Sequence, residues 1–581
     1  MSLKTPDPMT PHALFAAIPG WPDVRLLADG RLLEEVLDFH VNANRATVWE
    51  LMADTSRLNE AAGYPPIRFV EEEGLLIGTI GEGKSEEVFE EHPWEYENGH
   101  WLSHYRFYRK GFLRHNLTAL LLTEEEGGCR VVAYIGCIVP EEKNERLVRL
   151  FIRRAASGYR RFLEHALRAD GPRGPSTEHE PADGLEPFLK NAGQIEAPIS
   201  VREAMVDAIR RAAPDILARI NPRQMAAAAR VPERAAISFF LHGVRSGLFQ
   251  MNWDVICPHC RGARETMAHL ASVPAAAKCD VCRVDFGVGN RHTLEVSFAP
   301  HPSYIKMERP VYCSREAANQ PHVLLQRKLA AGQSDLRLHG VFSPGSLEVF
   351  ARERGQLEFT ARPELDSTVV KLPPQKPGTI VKITVPQWQK DLTLPEHLLL
   401  HPEFAVLFPG EAPGRDISVE LGRQAFLFTD LVGSTSLFEI AGDTLAFQSI
   451  REHFRVIYNV VDEHGGSVVK TMGDGAMAFF ADPLSASAAA FALQGHFREQ
   501  QKMRIRIGLH LGEALAIRLA AGLDFFGRAV NLAAKFMAAA GSNEIVLLKD
   551  NAAAFGVSSS GDVRRFEHPA FPAGLEVIHL R

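Results

Sequence analysis

The sequence contains no apolar run approaching the roughly 18 residues needed to cross a bilayer, so membrane contact would require a lipid or a partner. Its opening, MSLKTPDPMTPHALF, lacks the basic stretch and apolar core of a secretory signal. The expected location is cytoplasmic. Cysteine is scarce and odd in number, seven in 581 residues, and four of the seven stand as two close pairs. That usage excludes a disulfide framework and points to a metal site in a reduced compartment. No basic surplus exists either: the formal net charge is −7, which argues against nucleic acid as a general partner. What is present is an ordinary globular composition, 46% hydrophobic and 23% charged. The chain is long enough for about three to five cores.

Proline, glycine and charge gather at Arg168–Pro187, which reads as a linker spanning 168–190. Before it, HVNANRATVWELMADTSRLNEAAG suggests a strand and a helix with Val48, Leu51 and Leu58 on one face. Several short apolar and aromatic runs follow, and Leu147, Phe151, Ala155, Tyr159, Phe162 and Ala166 then recur at helical spacing. This order, one helix, a many-stranded sheet and a long closing helix over 1–167, resembles the START/Bet v 1-like helix-grip fold. The resemblance implies a cavity for a small apolar ligand.

Beyond the linker, 191–284 reads as short helices. NPRQMAAAARVPERAAISFFLHGVRSGLF gives two of them joined at Val231–Pro232, as in a winged-helix unit. Between Arg202 and Arg245 eight arginines face four acidic residues, a small surplus for a reader of DNA. Cys257 and Cys260, with Cys279 and Cys282, make C-x2-C-x18-C-x2-C. That spacing suits tetrahedral zinc, and four thiolates leave no open position, so the Zn²⁺ would be structural. Residues 285–422 alternate apolar and polar positions, as half-buried strands do. The fold class expected is multidomain α+β, with a ferredoxin-like α/β domain over 423–581.

In that last segment AFLFTDLVGST ends an apolar strand on Asp430. Two short strands meet at GDG, with Asp474 at the tip of their hairpin. An amphipathic helix over roughly Thr435–His464 precedes them, a second helix and a strand pair in MRIRIGLHLGEALAIRL follow, then a helix opened by Gly527 and a strand in EIVLLKD. The order β-α-β-β-α-β is ferredoxin-like, and it sets Asp430 beside Asp474. Two carboxylates so placed suit one or two Mg²⁺, and the LVGSTS bend into a helix N-terminus suits phosphate. The combination points to phosphoryl or nucleotidyl chemistry.

FTDLVGST, VVKTMGDGAMAFF, RIGLHLGEALA and LDFFGRAVNLAAK resemble successive motifs of class III adenylate/guanylate cyclase catalytic domains. The resemblance implies a homodimer that converts ATP to cyclic AMP and pyrophosphate at its interface, with two Mg²⁺ or Mn²⁺ per site. It assigns metal binding to Asp430, the Leu431 carbonyl and Asp474; the helix N-terminus at Val432, Gly433, Ser434 and Thr435 is the expected phosphate contact. Adenine selection falls to Lys470 and Asp524 of the partner subunit, and transition-state stabilisation to Asn531. Four residues after Asn531 the family usually has Arg; this chain has Lys535, which keeps the charge and the helix face but loses the planar fork. Two other readings stand beside this one: a cyclase-like domain that binds ATP without turnover, and a DNA-binding regulator built on the middle region.

Overall fold

The computed structural model describes residues 10–18, 29–61, 63–72, 75–83, 86–168, 184–212, 214–258, 261–279, 284–290, 292–306, 317, 320, 322–339, 348–353, 356–360, 364–366, 369–372, 376–385, 392–433, 443–499, 503–519, 522–559, 561–569 and 571–581. Ser434, Thr435, Cys260, Cys282 and most of the expected linker lie outside them.

The strands of the first unit join an antiparallel sheet in the order Arg31–Val41, Gly128–Val139, His115–Glu125, Trp101–Lys110 and Glu95–Glu97. The sheet does not stop there. Glu95–Glu97 pairs with Val323–Lys328, and the sheet runs on through Ile380–Thr384 to Glu348–Glu353 and Gln356–Thr360. The unit before the expected linker and the strand-rich region far beyond it therefore share one sheet. Local alternation cannot reveal such a pairing, because each edge strand looks the same whichever neighbour completes it.

The helix Glu145–Arg168 covers this sheet. Val148, Ile152, Ala155, Phe162, Leu163 and Ala166 are buried, whereas Leu147 is 49% exposed; the apolar stripe starts one residue later than expected. The expected helix at Val48–Leu58 is two helices, Arg45–Met52 and Thr55–Ala61, with Asn44 capping the first through Thr47. Sheet and helix enclose a cavity of about 260 Å³, lined by Met52, Leu58, Leu120, Ala133 and Ala155 among apolar groups. Its polar lining includes Tyr64 and His104; Tyr64 Oη and His104 Nδ1 are buried without a partner.

In the middle unit, Pro222–Ala229 and Glu233–Arg245 meet at Val231–Pro232, where Arg230 closes the first helix in the left-handed region. Phe239, Phe240, Phe249 and Phe298 form an aromatic core. One continuous buried cluster joins that core, through Leu398, Leu399 and Phe404, to Phe426 and Phe428 of the following domain. Arg234 also ion-pairs with Asp462 there. Cys257 follows the strand Phe249–Ile256, and its carbonyl accepts from the Arg261 amide at 3.0 Å. Cys279 ends Ala276–Cys279, and both cysteines are buried.

The last domain is built from β1 (Val419–Leu431), α1 (Asp443–Glu463), β2 (Ser467–Met472), β3 (Gly475–Phe480), α2 (Pro483–Glu499), β4 (Ile505–Leu519), β5 (Gly522–Phe526), α3 (Arg528–Ala539), β6 (Ile545–Leu548), β7 (Asp562–His568) and β8 (Phe571–Leu580). The sheet order β2-β3-β1-β4 is the ferredoxin-like one, extended by β6, β8 and β7, with β5 folded back on β4. The expected strand pair at 503–519 is instead one strand, β4. Its glycines make room for α3 rather than turning the chain. A Cβ on Gly508 would stand 2.1 Å from the Ala533 carbonyl, and one on Gly512 2.8 Å from the Ala529 methyl. Among the described residues no helix is long and apolar enough to cross a membrane.

Candidate active site

β1 is an interior strand, flanked by β3 on one side and β4 on the other, and its residues from Ala425 to Thr429 are all buried. Asp430, near its end, is half-buried between buried Thr429 and Leu431. Asp430 is directly opposite Arg506 of β4, whose Nε donates to Oδ2 at 2.8 Å; Nη2 of the same guanidinium reaches the same oxygen. The β2–β3 connection is the two-residue turn Gly473–Asp474, with Gly473 at φ 63°. Glycine at the first central position is what a type II′ hairpin turn asks for. The Thr429 hydroxyl accepts from the Ala476 amide at 3.2 Å, locking the turn to the end of β1. A Cβ on Gly475, the residue after Asp474, would lie 3.5 Å from Asp430 Oδ1, so the turn that carries Asp474 packs against the end of β1.

Asp474 is half-buried, and its Oδ2 is inaccessible to water without any hydrogen-bond partner. A buried carboxylate oxygen left bare is costly unless a cation meets it. Below the turn, His453 of α1 is fully buried and hydrogen-bonds the Asp474 carbonyl through Nε2 at 3.1 Å. Burial pushes that imidazole down to about 4, so it stays neutral and fixes the loop without adding charge to the site. After β1, Gly433 takes φ 79° and Val432 is held by its amide to the Arg504 carbonyl at 2.8 Å.

Lys470 and Asp524 come together across β2 and β5. The ammonium donates to both carboxylate oxygens, at 2.6 and 2.8 Å, and the Phe525 amide donates to Oδ1 at 2.7 Å. Asn531 and Lys535 share one face of α3. Asn531 is exposed, and Lys535 Nζ donates to His568 Nε2 of β7 at 2.7 Å. The structure thus brings Lys470 and Asp524 into contact, puts Asn531 and Lys535 on one helix face, and sets the turn bearing Asp474 against the strand end bearing Asp430. No hydrogen bond or ion pair among the described residues joins one of these pairs to another. Met472, Leu519 and Phe526, exposed by 40%, 51% and 58%, are apolar side chains close in sequence to Asp474 and Asp524.

The sequence reading missed Arg506, His453 and His568. Arg506 carries a faint signal, a charge alternating with apolar residues in RIRIG, but its partner lies 76 positions away. The two histidines carry none, since a lone His in a helix or strand is most often a satisfied core or surface residue.

Residues 420–556 match the family model of the adenylate and guanylate cyclase catalytic domain. Residues 186–312 match a family of unknown function, DUF5939. An adenylate cyclase of Mycosarcoma maydis is 26% identical over 162 residues, 23% of this chain and 6% of that protein. An uncharacterized protein of Mycobacterium tuberculosis is 32% identical over 120 residues, 20% of this chain and 31% of that one. The chain thus spans less than a third of either curated relative. Among solved structures, the adenylyl cyclase CyaB of P. aeruginosa aligns over 28% of this chain and 96% of its own, at 19% identity and a TM-score of 0.26; guanylyl cyclases align as well. Residues 420–556 of this chain are therefore an adenylate/guanylate cyclase catalytic domain.

Proposed function

We propose that the chain is an adenylate cyclase, forming 3′,5′-cyclic AMP and pyrophosphate from ATP at the interface of a homodimer. The observation that carries this reading is the bare, buried Oδ2 of Asp474, in a turn packed against the end of β1 that carries Asp430. Asp430, Asp474 and the Leu431 carbonyl would hold Mg²⁺ or Mn²⁺, an oxygen donor set that suits hard divalent ions. When bound, such ions supply charge that favours ionisation of the ribose 3′-hydroxyl and stabilises the leaving pyrophosphate. The chain's own part begins with Arg506, which shares Asp430 and keeps that carboxylate oriented while the site is empty of nucleotide. Val432, Gly433, Ser434 and Thr435 offer backbone and hydroxyl groups to the phosphates.

Base selection is assigned to the Lys470–Asp524 pair. It presents a donor and an acceptor side by side, matching adenine, whose edge carries the N1 acceptor and the N6 amino donor; guanine reverses that order. Asn531 and Lys535 would stabilise the charge that develops on the reacting phosphate, reaching across from the partner.

A specific observation favours a second reading, an ATP sensor without turnover: Lys535 stands where an Arg would grip phosphate twice, and it is engaged by His568. Lys535→Arg separates the two. In a working enzyme it should raise kcat by roughly three- to tenfold, measured as cyclic AMP formed per chain. No gain from a background that has no turnover would favour the sensor.

Regulation belongs to the same proposal. The N-terminal cavity would take a small apolar ligand with one polar end, directed at Tyr64 Oη and His104 Nδ1. Ala155→Phe should fill it, so that ligands co-purifying with the wild-type chain, read by mass spectrometry after extraction, disappear. Ligand retained in that variant would place it elsewhere. Cys257, Cys260, Cys279 and Cys282 would hold one structural Zn²⁺, and Cys257→Ser should lower both zinc content and melting temperature. Unchanged zinc in that variant would remove the site.

A further inference from the structure

A third candidate metal centre lies away from both of these. The strand Glu95–Glu97 ends on Glu97 and runs into the short loop that carries His100. It docks on Val323–Lys328, where Leu325 pairs with Glu97 and the Asn98 amide donates to the Leu324 carbonyl at 2.8 Å. The short strand Asp335–Arg337 then delivers His339 to the same place. One donor atom from each of Glu97, His100 and His339 lies within 4.8 Å of the other two. Glu97 is only 5% exposed, and its carboxylate accepts the His339 amide and stands 2.9 Å from His339 Nδ1. The His100 and His339 rings stack with centroids 4.2 Å apart and planes 20° from parallel. So deeply buried a carboxylate calls for a cation. Among the described residues the ion-pair partner of Glu97 is His339 alone, which is charged only when protonated.

We propose that Glu97, His100 and His339 form a binding site for a first-row divalent ion of the Zn²⁺ type, one that clamps the first unit to the strands beyond the middle unit. Two imidazoles and one carboxylate are a donor set that suits zinc and its neighbours and leaves a fourth position for water. Bonds of about 2.0–2.1 Å around a tetrahedral ion set adjacent donor atoms roughly 3.3 Å apart. Closing the set from 4.8 Å asks for movements of about 1.5 Å or less, within reach of side-chain rotation. The His339 side chain is 63% exposed, so an ion has a path in from solvent. Glu97 and His339 are 242 positions apart in the chain, so a bound ion cross-links two distant segments as well as filling a pocket. The site also adjoins the ligand cavity, because Trp94, Leu102 and His104 on the flanking segments line it. Metal occupancy would thereby bear on how that cavity opens.

The test uses the full chain, equilibrated with Zn²⁺, freed of excess by gel filtration and assayed for metal beside His339→Ala and His100→Ala. His339 is exposed, so its truncation leaves the core intact. Each variant should hold one equivalent less than the wild type, however many other sites are filled. With Co²⁺ as the probe, the absorption lost should be d–d bands without thiolate charge transfer, and the rise in melting temperature on adding Zn²⁺ should shrink in both variants. Equal metal content in wild type and both variants would overturn the site and leave Glu97–His339 a plain hydrogen bond. A lost equivalent that carries thiolate bands would overturn it equally, by locating the ion at the cysteines.

Discussion

An Asp474→Ala chain and an Asn531→Ala chain, each nearly inactive alone, should recover about a quarter of wild-type activity when co-expressed. Either change should lower turnover by about 10²–10³-fold, because each removes charge stabilisation at the reacting phosphate. The recovery follows from symmetry. In an isologous dimer each of two sites takes its acidic half from one chain and its α3 half from the other. A mixed dimer then has one intact site and one doubly damaged site. Random pairing makes about half of the dimers mixed, so about a quarter of all sites are whole. The structure motivates the experiment: among the described residues no hydrogen bond or ion pair joins Asp430 or Asp474 to Asn531 or Lys535, and Asn531 is exposed. Activity no greater than the sum of the two variants, with mixed dimers demonstrated by differential tagging, would place the whole site within one chain.

The second large effect is on folding. Gly508→Val should destabilise the catalytic domain by about 3 kcal/mol or more and abolish activity with it. The first atom of any side chain at 508 would stand 2.1 Å from the Ala533 carbonyl oxygen and 2.2 Å from the Met537 amide nitrogen. Both are backbone atoms of α3, so relief requires the helix to lift from β4, taking Asn531 and Lys535 with it. Gly495 is the contrast. It sits exposed in α2, and a methyl group added there would meet nothing within 4 Å, so Gly495→Ala should stabilise by about 0.5–1 kcal/mol. Thermal unfolding of the two variants checks the pair; equal melting temperatures would refute the close-packing account of Gly508.

The same strand shows where sequence reading reaches and where it stops. Gly508 and Gly512 look like turn signals between strands, because glycine in a strand most often marks a break. Only the position of α3 shows that they serve close approach. The placing of the Asp474 turn beside the strand that ends on Asp430 was legible, since the β-α-β-β order puts that hairpin next to β1. Lys470 and Asp524 were found through family resemblance, and the structure brings them into contact. Arg506 was not legible, because an ion pair across two strands depends on register, which local pattern leaves open. The sheet continuing from Glu97 to Leu325 was hidden for a related reason: a pairing across 228 positions, like the Arg234–Asp462 bond of the same span, leaves no trace in local periodicity. The stripe on Glu145–Arg168, by contrast, was read within one residue, because a long amphipathic helix repeats its signal many times.

The most direct test of the central claim is cyclic nucleotide production by the purified chain, from ATP and from GTP, with Mn²⁺ and with Mg²⁺. The account predicts cyclic AMP in excess of cyclic GMP by about tenfold or more, and its loss in both Asp430→Ala and Asp474→Ala. Metal-dependent binding of ATP with no cyclic product under any of these conditions would contradict it and leave a nucleotide sensor in its place.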